Sequence, residues 1–213
     1  LCRDPGLIDA FRAGEDIHRV TAARVGGVEP ADVTPEMRRA AKAVNFGILY
    51  GMSESRLARE QGMSRDEAKA FIQAYFERFA AVREYIESVR ERAVRDAEVR
   101  TLFGRVRRFP QLHGKVSRPQ QEQALRAAVN TTIQGTAADL MKLAMVAVRE
   151  DLGKAGMAAR ILLQVHDELL VEAPPEEVAA VVERVPRVMA GVHPMEVPLS
   201  VDVKTGADWG EVT

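Results

Sequence analysis

Residues 161–171 read Ile-Leu-Leu-Gln-Val-His-Asp-Glu-Leu-Leu-Val, two short apolar runs on either side of a polar tip. This pattern predicts a β-hairpin with largely buried strands. Ionised carboxylates are costly near a core unless they are paired or bind a metal, so the tip formed by His166, Asp167 and Glu168 is a candidate site. The residues leave a second interpretation open, in which the tip is a hydrogen-bonded turn between two core strands.

Composition sets the class of protein. The chain has 213 residues, 46% of them hydrophobic and 29% charged, which indicates one large or two small globular domains. A single cysteine excludes a disulfide framework and a cysteine-based zinc site. No apolar run approaches the ~20 residues of a membrane span, and no secretory signal opens the chain, so we expect a cytoplasmic protein. The first residue is leucine and not methionine, which suggests a fragment or a processed product.

The net charge is −1, so the chain as a whole lacks the basic signature of a nucleic-acid binder. Basic residues nevertheless concentrate between positions 100 and 126, where Glu122 is the single acid. Such a patch suits a polyanion, although a solvated surface turn would have the same composition. The basic residues of the patch are Arg100, Arg105, Arg107, Arg108, Lys115, Arg118 and Arg126.

Hydrophobic spacing and capping residues predict a mostly helical chain with a few short strands. Gly14 is expected to break the first helix, and Gly135 is expected to make the longest helix irregular. In chain order the predicted elements are helices over 7–25, 34–50, 65–79 (after a capping box at Ser64 and Glu67) and 81–97, a hairpin over 99–109, a long helix over 120–148, the 161–171 hairpin, a helix from Pro174, and a last strand over Val197–Val203.

Four residues of the 34–50 helix, Arg38, Lys42, Phe46 and Tyr50, recur every four positions and therefore share one slowly winding stripe. Two cations followed by two aromatic rings could hold a phosphate chain and then a sugar and base. The other interpretation is an amphipathic edge with solvated cations and core aromatics. A second polar stripe with the same spacing lies in the longest helix, at Arg126, Asn130 and Gln134.

Five stretches, taken together, closely resemble family A DNA polymerases of the bacterial DNA polymerase I type. Residues 38–51, RRAAKAVNFGILYG, resemble motif B of that family, and residues 164–168, QVHDE, match its motif C. The other three matching stretches, in the expected order along the chain, are Asp16-Ile17-His18, Thr101-Leu102-Phe103-Gly104-Arg105, and 126–139 with RAAVN and QGTAAD. The resemblance runs from residue 1 to about Trp209 and implies an α+β fold, with a mostly helical fingers subdomain and part of an antiparallel palm sheet that carries the motif C hairpin.

The resemblance implies a DNA-directed DNA polymerase that works in replication and repair, and it assigns the first stripe to the incoming dNTP. Arg38, Lys42 and His18 would hold the triphosphate, Phe46 would pack on the sugar and base, and Tyr50 would lie beside the templating position. Phosphoryl transfer depends on such positioned positive charge. Phenylalanine in place of tyrosine at position 46 implies that dideoxynucleotides are rejected.

The resemblance assigns the second stripe to primer–template DNA, with Arg126, Asn130, Gln134 and His166 near the insertion site and Arg105 on the phosphates. Minor-groove acceptors lie at similar places in every base pair, so such donors can test pair geometry without reading sequence. Asp167 would bind Mg²⁺ as a catalytic carboxylate, with Glu168 in a supporting catalytic role. No obligate protein partner is evident, and a monomer is expected.

One feature of the family is missing from these residues. A complete site needs a second aspartate from motif A, and no copy of that motif occurs in the sequence, so we expect the chain to be inactive in isolation. The implied segments are 1–33 leading from palm to fingers, 34–110 as fingers with the nucleotide-binding helix 35–50, and 111–213 as the C-terminal palm. The alternatives are a non-catalytic nucleic-acid-binding fragment, a relative of single-subunit RNA polymerases, and a metal-dependent hydrolase built on residues 166–168.

Overall fold

The structure is a computed structural model that describes residues 1–49 and 51–212. It divides into two compact units, Leu1–Gly135 and Thr136–Thr213. Each unit combines helices with a two-stranded antiparallel sheet, which confirms the predicted α+β class. The finer division into segments 1–33, 34–110 and 111–213 stays a prediction. No helix within the described residues is long and apolar enough to cross a membrane.

The first unit consists of helices joined by short turns, with one small hairpin. Two of its turns are 3₁₀ helices, at Pro30–Asp32 and Pro110–His113. Its main elements are α1 (Pro5–Arg12), α2 (Ile17–Gly26), α3 (Pro35–Leu49), α4 (Glu54–Gln61), α5 (Arg65–Arg78), α6 (Ala80–Asp96), β1 (Glu98–Arg100), β2 (Val106–Arg108) and the first half of α7 (Arg118–Lys154).

Polar caps fix where these helices begin. Asp16 accepts hydrogen bonds from the first backbone N–H groups of α2. The predicted capping box at the start of α5 is confirmed, because Ser64 Oγ accepts from the Glu67 N–H at 3.2 Å and Glu67 Oε2 accepts from the Ser64 N–H at 2.7 Å. Each such cap satisfies backbone donors that the helix itself cannot, a gain of about 1 kcal/mol.

Apolar faces of the helices in the first unit pack into three clusters. One is centred on Phe79, which has no exposed surface and joins α5 to α6. Val44 and Ile48 bring the inner face of α3 into this cluster, so the opposite face of α3 is turned to solvent. A second cluster packs Phe109 and the β1–β2 hairpin against α6 and α7, and it includes Val89, Val99, Leu125, Ala128 and Val129.

The second unit is built on the C-terminal half of α7. Strand β3 (Arg160–Val165) pairs with β4 (Glu168–Glu172), and α8 (Val178–Ala190) follows a 3₁₀ turn at Pro175–Glu177. A small core of Val148, Leu152, Ala159 and Val181 joins α7, the hairpin and α8. The last described element of the chain is a 3₁₀ turn at Trp209–Glu211.

The structure corrects two element predictions. Helix α7 runs unbroken through Gly135, where an irregularity was expected. A glycine costs a helix only about 1 kcal/mol relative to alanine, and the packed residues that precede Gly135 on α7 outweigh that cost. The predicted last strand over Val197–Val203 is wrong, since these residues pair with none of the described strands and a strand needs such a ladder.

The prediction that the 161–171 hairpin is largely buried is also wrong. Leu162 and Leu163 are 46% and 47% exposed, and no residue of β3 or β4 is fully buried. One side of the pair packs on the small core through Ile161 and Val171. The apolar sequence of both strands therefore does not by itself bury both faces.

Candidate functional site

The solvent-facing side of α3 carries the first predicted stripe. Lys42 is exposed, the Arg38 side chain is 41% exposed, and the ring of Phe46 keeps 51% of its surface in solvent. Ala41 and Val44, which face the other way, are buried. The interpretation of Phe46 as a core residue is therefore wrong. Tyr50, the last member of the stripe, lies outside the described residues.

An ion pair joins this stripe to the start of α2. Arg38 Nε donates to Asp16 Oδ2 at 2.6 Å, while Asp16 Oδ1 accepts from the backbone N–H groups of His18 and Arg19. The hydrogen bond from Arg38 is the main reason why the pKa of Asp16 is below its usual value. One carboxylate thus ties the exposed face of α3 to the helix that carries His18.

His18 lies against the same face of α3. Its ring centroid is 5.5 Å from that of Phe46, with the two planes inclined at 54°. Partial burial lowers the pKa of His18, and the charges of Arg38 and Lys42 act in the same direction, opposed by Asp16. The structure therefore brings His18, Arg38, Lys42 and Phe46 into one cluster with a neutral imidazole beside two cations.

The second stripe begins where α3 ends. Gly51 has a φ of +68°, and a Cβ at this position would lie 2.3 Å from Cδ of Arg126. Such a contact is impossible for a side chain, so only glycine allows Arg126 to lie directly on the backbone that follows α3. Arg126, the first residue of the second stripe, consequently lies against residue 51.

Asn130 and Gln134 continue the second stripe along α7. Asn130 is half-buried, and within the described residues its Oδ1 is a buried acceptor without a hydrogen-bond donor. Buried acceptors in native proteins are nearly always paired, so this oxygen is an exception. Gln134 is exposed one turn further on.

The β1–β2 hairpin places arginines against the same helix. Arg105 Nη2 donates to the Gly135 carbonyl at 2.9 Å, and Arg107 Nη1 donates to Thr131 Oγ1 at 2.9 Å. Together with Gln134 these residues line a cavity of about 300 Å³. Glu122, the single acid of the basic patch, is held by Arg90 Nη2 at 2.9 Å, whereas Glu98 of β1 pairs with Arg100 Nη2 at 2.7 Å.

The tip of the β3–β4 hairpin is a two-residue turn of His166 and Asp167. His166 has a φ of +53°, a left-handed conformation that is unusual for a residue with a side chain. The Gln164 side chain supports the turn by donating to the His166 carbonyl. His166, Asp167 and Glu168 are all exposed, so the tip presents its carboxylates to solvent and does not bury them.

Asp167 and Glu168 offer the hard oxygen ligands that Mg²⁺ prefers. Among the described residues no three acidic, histidine or cysteine side chains lie close enough together to enclose a metal ion. An ion held by one or two exposed carboxylates and completed by substrate phosphates and water fits this arrangement, whereas a site made only of protein ligands does not.

Two polar residues of the cluster, Asp16 and Asn45, lie within the matching motifs, but the sequence did not predict a function for them. Asp16 precedes His18 by two positions, the spacing of a helix N-cap. Asn45 is seven residues after Arg38, which at 100° per residue places both within about 20° on the helix. Its amide contacts His18 Nδ1 and Thr21 Oγ1. The seven-residue spacing from Arg38 could have placed Asn45 on the same face of α3. The predicted stripe included only every fourth residue and therefore left Asn45 out.

Comparison with known proteins finds DNA polymerases that are similar over nearly the whole chain. The chain is 46% identical over 211 residues to "DNA polymerase I" of Pseudomonas aeruginosa, an alignment that covers 99% of this chain and 23% of that protein. It is 50% identical over 209 residues to "DNA polymerase I, thermostable" of Thermus aquaticus, covering 98% of this chain and 25% of that protein. The chain thus spans about a quarter of the length of these relatives.

A solved structure and a family model give the same result over nearly the whole chain. The "POL domain of Pol1 from M. smegmatis complex with DNA primer-template and dNTP" superposes with a TM-score of 0.92 at 43% identity, covering 100% of this chain and 37% of that one. The model described as "DNA polymerase family A" matches residues 1–211. The chain therefore belongs to DNA polymerase family A.

Proposed function

We propose that this chain is the nucleotide-binding and C-terminal palm part of a DNA-directed DNA polymerase that acts in replication and repair. The single observation that carries the proposal is the cluster of Arg38, Lys42, His18 and Phe46 on the exposed side of α3. Two cations and an imidazole beside an exposed aromatic ring match a triphosphate followed by a sugar and base.

In this proposal Arg38 and Lys42 neutralise the triphosphate and His18 donates a hydrogen bond to it. Phe46 packs on the sugar and base, and Tyr50 lies beside the templating position, as the family resemblance implies. Since the Phe46 ring is already half exposed, nucleotide binding requires no opening of the core. Binding at such a face depends on preorganised charge, which the Asp16–Arg38 pair supplies by fixing one end of the guanidinium.

We assign the second stripe to primer–template DNA. Arg126, Asn130 and Gln134 would contact base edges in the minor groove, and Arg105 would contact phosphates together with the other hairpin arginines. Gln134 is exposed, so its amide can donate to the minor-groove acceptors of a bound duplex. His166 would add a contact from the tip of the β3–β4 hairpin.

Asp167 and Glu168 are proposed as catalytic carboxylates, with Asp167 as the ligand of Mg²⁺. When bound, Mg²⁺ would supply positive charge at the primer 3′-hydroxyl and at the leaving pyrophosphate. Both carboxylates are exposed at a tight turn, so a cation can reach them from solvent. A monomeric state and a cytoplasmic location stay predictions.

The test replaces one carboxylate in the longer polymerase of which we propose this chain is a part. Asp167→Asn removes a negative charge without changing size, and we expect primer extension to fall by at least a thousand-fold while primer–template affinity changes little. Glu176→Gln, an exposed carboxylate in the 3₁₀ turn of the same unit, is the matched control and should extend normally.

The same assay separates the second candidate function. A non-catalytic nucleic-acid-binding protein would bind primer–template equally well with or without the Asp167 carboxylate. It would not extend the primer in either case. Extension by Asp167→Asn at the rate of the control variant would instead remove Asp167 from the chemistry.

A further inference from the structure

The amide of Asn45 lies between two helices and contacts the imidazole that we assign to the triphosphate. Its Nδ2 is 3.1 Å from His18 Nδ1 and 3.0 Å from Thr21 Oγ1. His18 and Thr21 both belong to α2, whereas Asn45 belongs to α3. A single side chain therefore connects the stripe of α3 to the ring of His18.

Thr21 decides which way this amide is turned. The Thr21 hydroxyl is 2.7 Å from the carbonyl of Ile17, which is the distance of a strong O–H···O bond, and 3.2 Å from Asn45 Oδ1. Its one proton therefore goes to Ile17, and its oxygen must accept a hydrogen from the neighbour at 3.0 Å. The amide nitrogen is the better neighbour at 3.0 Å, because it donates to the Thr21 oxygen there, whereas the reversed amide would bring its carbonyl oxygen to 3.0 Å and move the donor out to 3.2 Å.

The same orientation decides the state of His18. With one amide hydrogen on Thr21, the second points at His18 Nδ1, which must offer a lone pair. A neutral imidazole with a lone pair on Nδ1 carries its proton on Nε2. A doubly protonated ring would set an N–H against the amide hydrogens, so the contact also disfavours the imidazolium.

The charges around His18 act in both directions. Asp16 at the N-terminus of its own helix favours a positive ring, and Arg38 and Lys42 on α3 oppose one. A cation in the first turn of a helix is further disfavoured by the helix dipole. Desolvation is the largest cause of the lowered pKa of His18.

We propose that Asn45 is a positioning residue that holds His18 in the neutral form protonated on Nε2, so that the ring presents one N–H to the triphosphate. The step at the triphosphate rests on the proposed function, whereas the form of the ring can be measured without any nucleotide. A fixed N–H donor gives directional binding that does not change with pH above the lowered pKa of the ring.

The direct test is NMR of the protein with ¹⁵N-labelled histidine rings, with His18→Gln used to assign the His18 signals. We expect a protonated Nε2 and an unprotonated Nδ1 at neutral pH. In Asn45→Asp the carboxylate should draw the proton to Nδ1 and raise the pKa of His18. Thr21→Val, which removes the acceptor that turns the amide, should give a mixture of the two neutral forms. A wild-type ring protonated mainly on Nδ1 would overturn the proposal.

The pH profile of nucleotide use is the second test. In Asn45→Asp the doubly protonated ring still donates from Nε2 below its raised pKa, but above that pKa the neutral ring keeps its proton on Nδ1 and turns a lone pair to the phosphate. The dNTP KM, taken relative to wild type, should therefore rise about ten-fold as pH increases through that pKa, with kcat affected less.

Gln73→Glu is the matched control, since it makes the same amide-to-carboxylate change on the exposed side of α5 and should leave the KM ratio flat. A flat ratio in Asn45→Asp would also overturn the proposal. If instead His18→Gln leaves the dNTP KM unchanged while NMR shows the Nε2-protonated ring, the role of His18 in the proposed function fails and the role of Asn45 in fixing the ring stands.

Discussion

At the scale of single residues, Gly51 allows Arg126 of the second stripe to lie directly against residue 51. It combines a φ of +68° with the contact to the side chain of Arg126. Either feature alone would favour glycine, but they have different consequences. The backbone conformation affects stability, whereas the contact affects where Arg126 is placed.

Gly62 allows these two effects to be measured separately. It has nearly the same φ, +66°, at the C-terminal end of α4, and a Cβ there would meet no atom within 4 Å. We expect Gly62→Ala to cost about 1 kcal/mol of unfolding free energy with no change in primer–template affinity. Gly51→Ala should cost at least as much and also weaken primer–template binding about ten-fold, because it displaces Arg126.

Urea titration and fluorescence anisotropy with labelled primer–template measure the two quantities. Equal affinities of the two alanine variants would show that Arg126 does not need its place against residue 51. The comparison is sharp because both variants carry the same substitution in the same backbone conformation.

Which site residues could be predicted depends on where their partners lie. Arg38, Lys42 and Phe46 could be predicted because all three lie on one helix, and periodicity within a helix is visible in sequence. The roles of Asp16 and Asn45 arise from contacts between α2 and α3, at a separation of 22 residues for Asp16 and Arg38. No local period encodes such a contact, so these roles required the structure.

At the scale of elements, α7 shows a similar limit. Capping residues predicted the start of α5 because a cap is satisfied within four residues. Gly135 was expected to interrupt α7, but its place in sequence carries no information on what packs against it. A Cβ at Gly135 would lie 2.7 Å from Thr101 Cγ2 and 3.3 Å from Arg105 Nη2, so the glycine serves the approach of the β1–β2 hairpin.

Alanine substitutions within α7 test this explanation. Gly153, near the end of the helix, has nothing within 4 Å of its would-be Cβ, so Gly153→Ala should stabilise the protein by about 0.5–1 kcal/mol. Gly135→Ala should lose that gain, because the methyl group pushes the hairpin away from the helix. It should also weaken primer–template binding several-fold through the displaced Arg105, whereas Gly153→Ala should not.

Thermal unfolding measures the stability of the two variants, and the same anisotropy titration measures their affinity for primer–template. A Gly135→Ala variant as stable as Gly153→Ala, with unchanged DNA affinity, would mean that the hairpin does not need its contact with residue 135. The hairpin strands themselves were predictable from sequence, but their position on α7 was not.

At the scale of the whole molecule, the exposed β3–β4 hairpin has consequences for chemistry. Apolar runs on both strands predicted burial, yet burial depends on what else packs against a sheet, which a local pattern cannot encode. Asp167 and Glu168 stand on this hairpin with no third acidic, histidine or cysteine ligand close by among the described residues. Two-metal phosphoryl transfer requires both ions to be held about 4 Å apart, and one hairpin tip cannot fix two positions.

We therefore expect the 213-residue chain by itself to give no measurable primer extension with dNTPs and Mg²⁺.

The chain should still bind primer–template through the hairpin arginines and the α7 stripe, with an affinity that falls steeply as salt increases. Arg108 is the most exposed of the ion-paired hairpin arginines, at 83%, and Arg108→Gln should reduce the slope of log affinity against log salt by about one unit. Arg83→Gln on α6 is the control and should leave that slope unchanged. Extension by the chain alone would show that the carboxylates of one hairpin suffice for the reaction, and binding without salt dependence would remove the basic patch from the DNA interface.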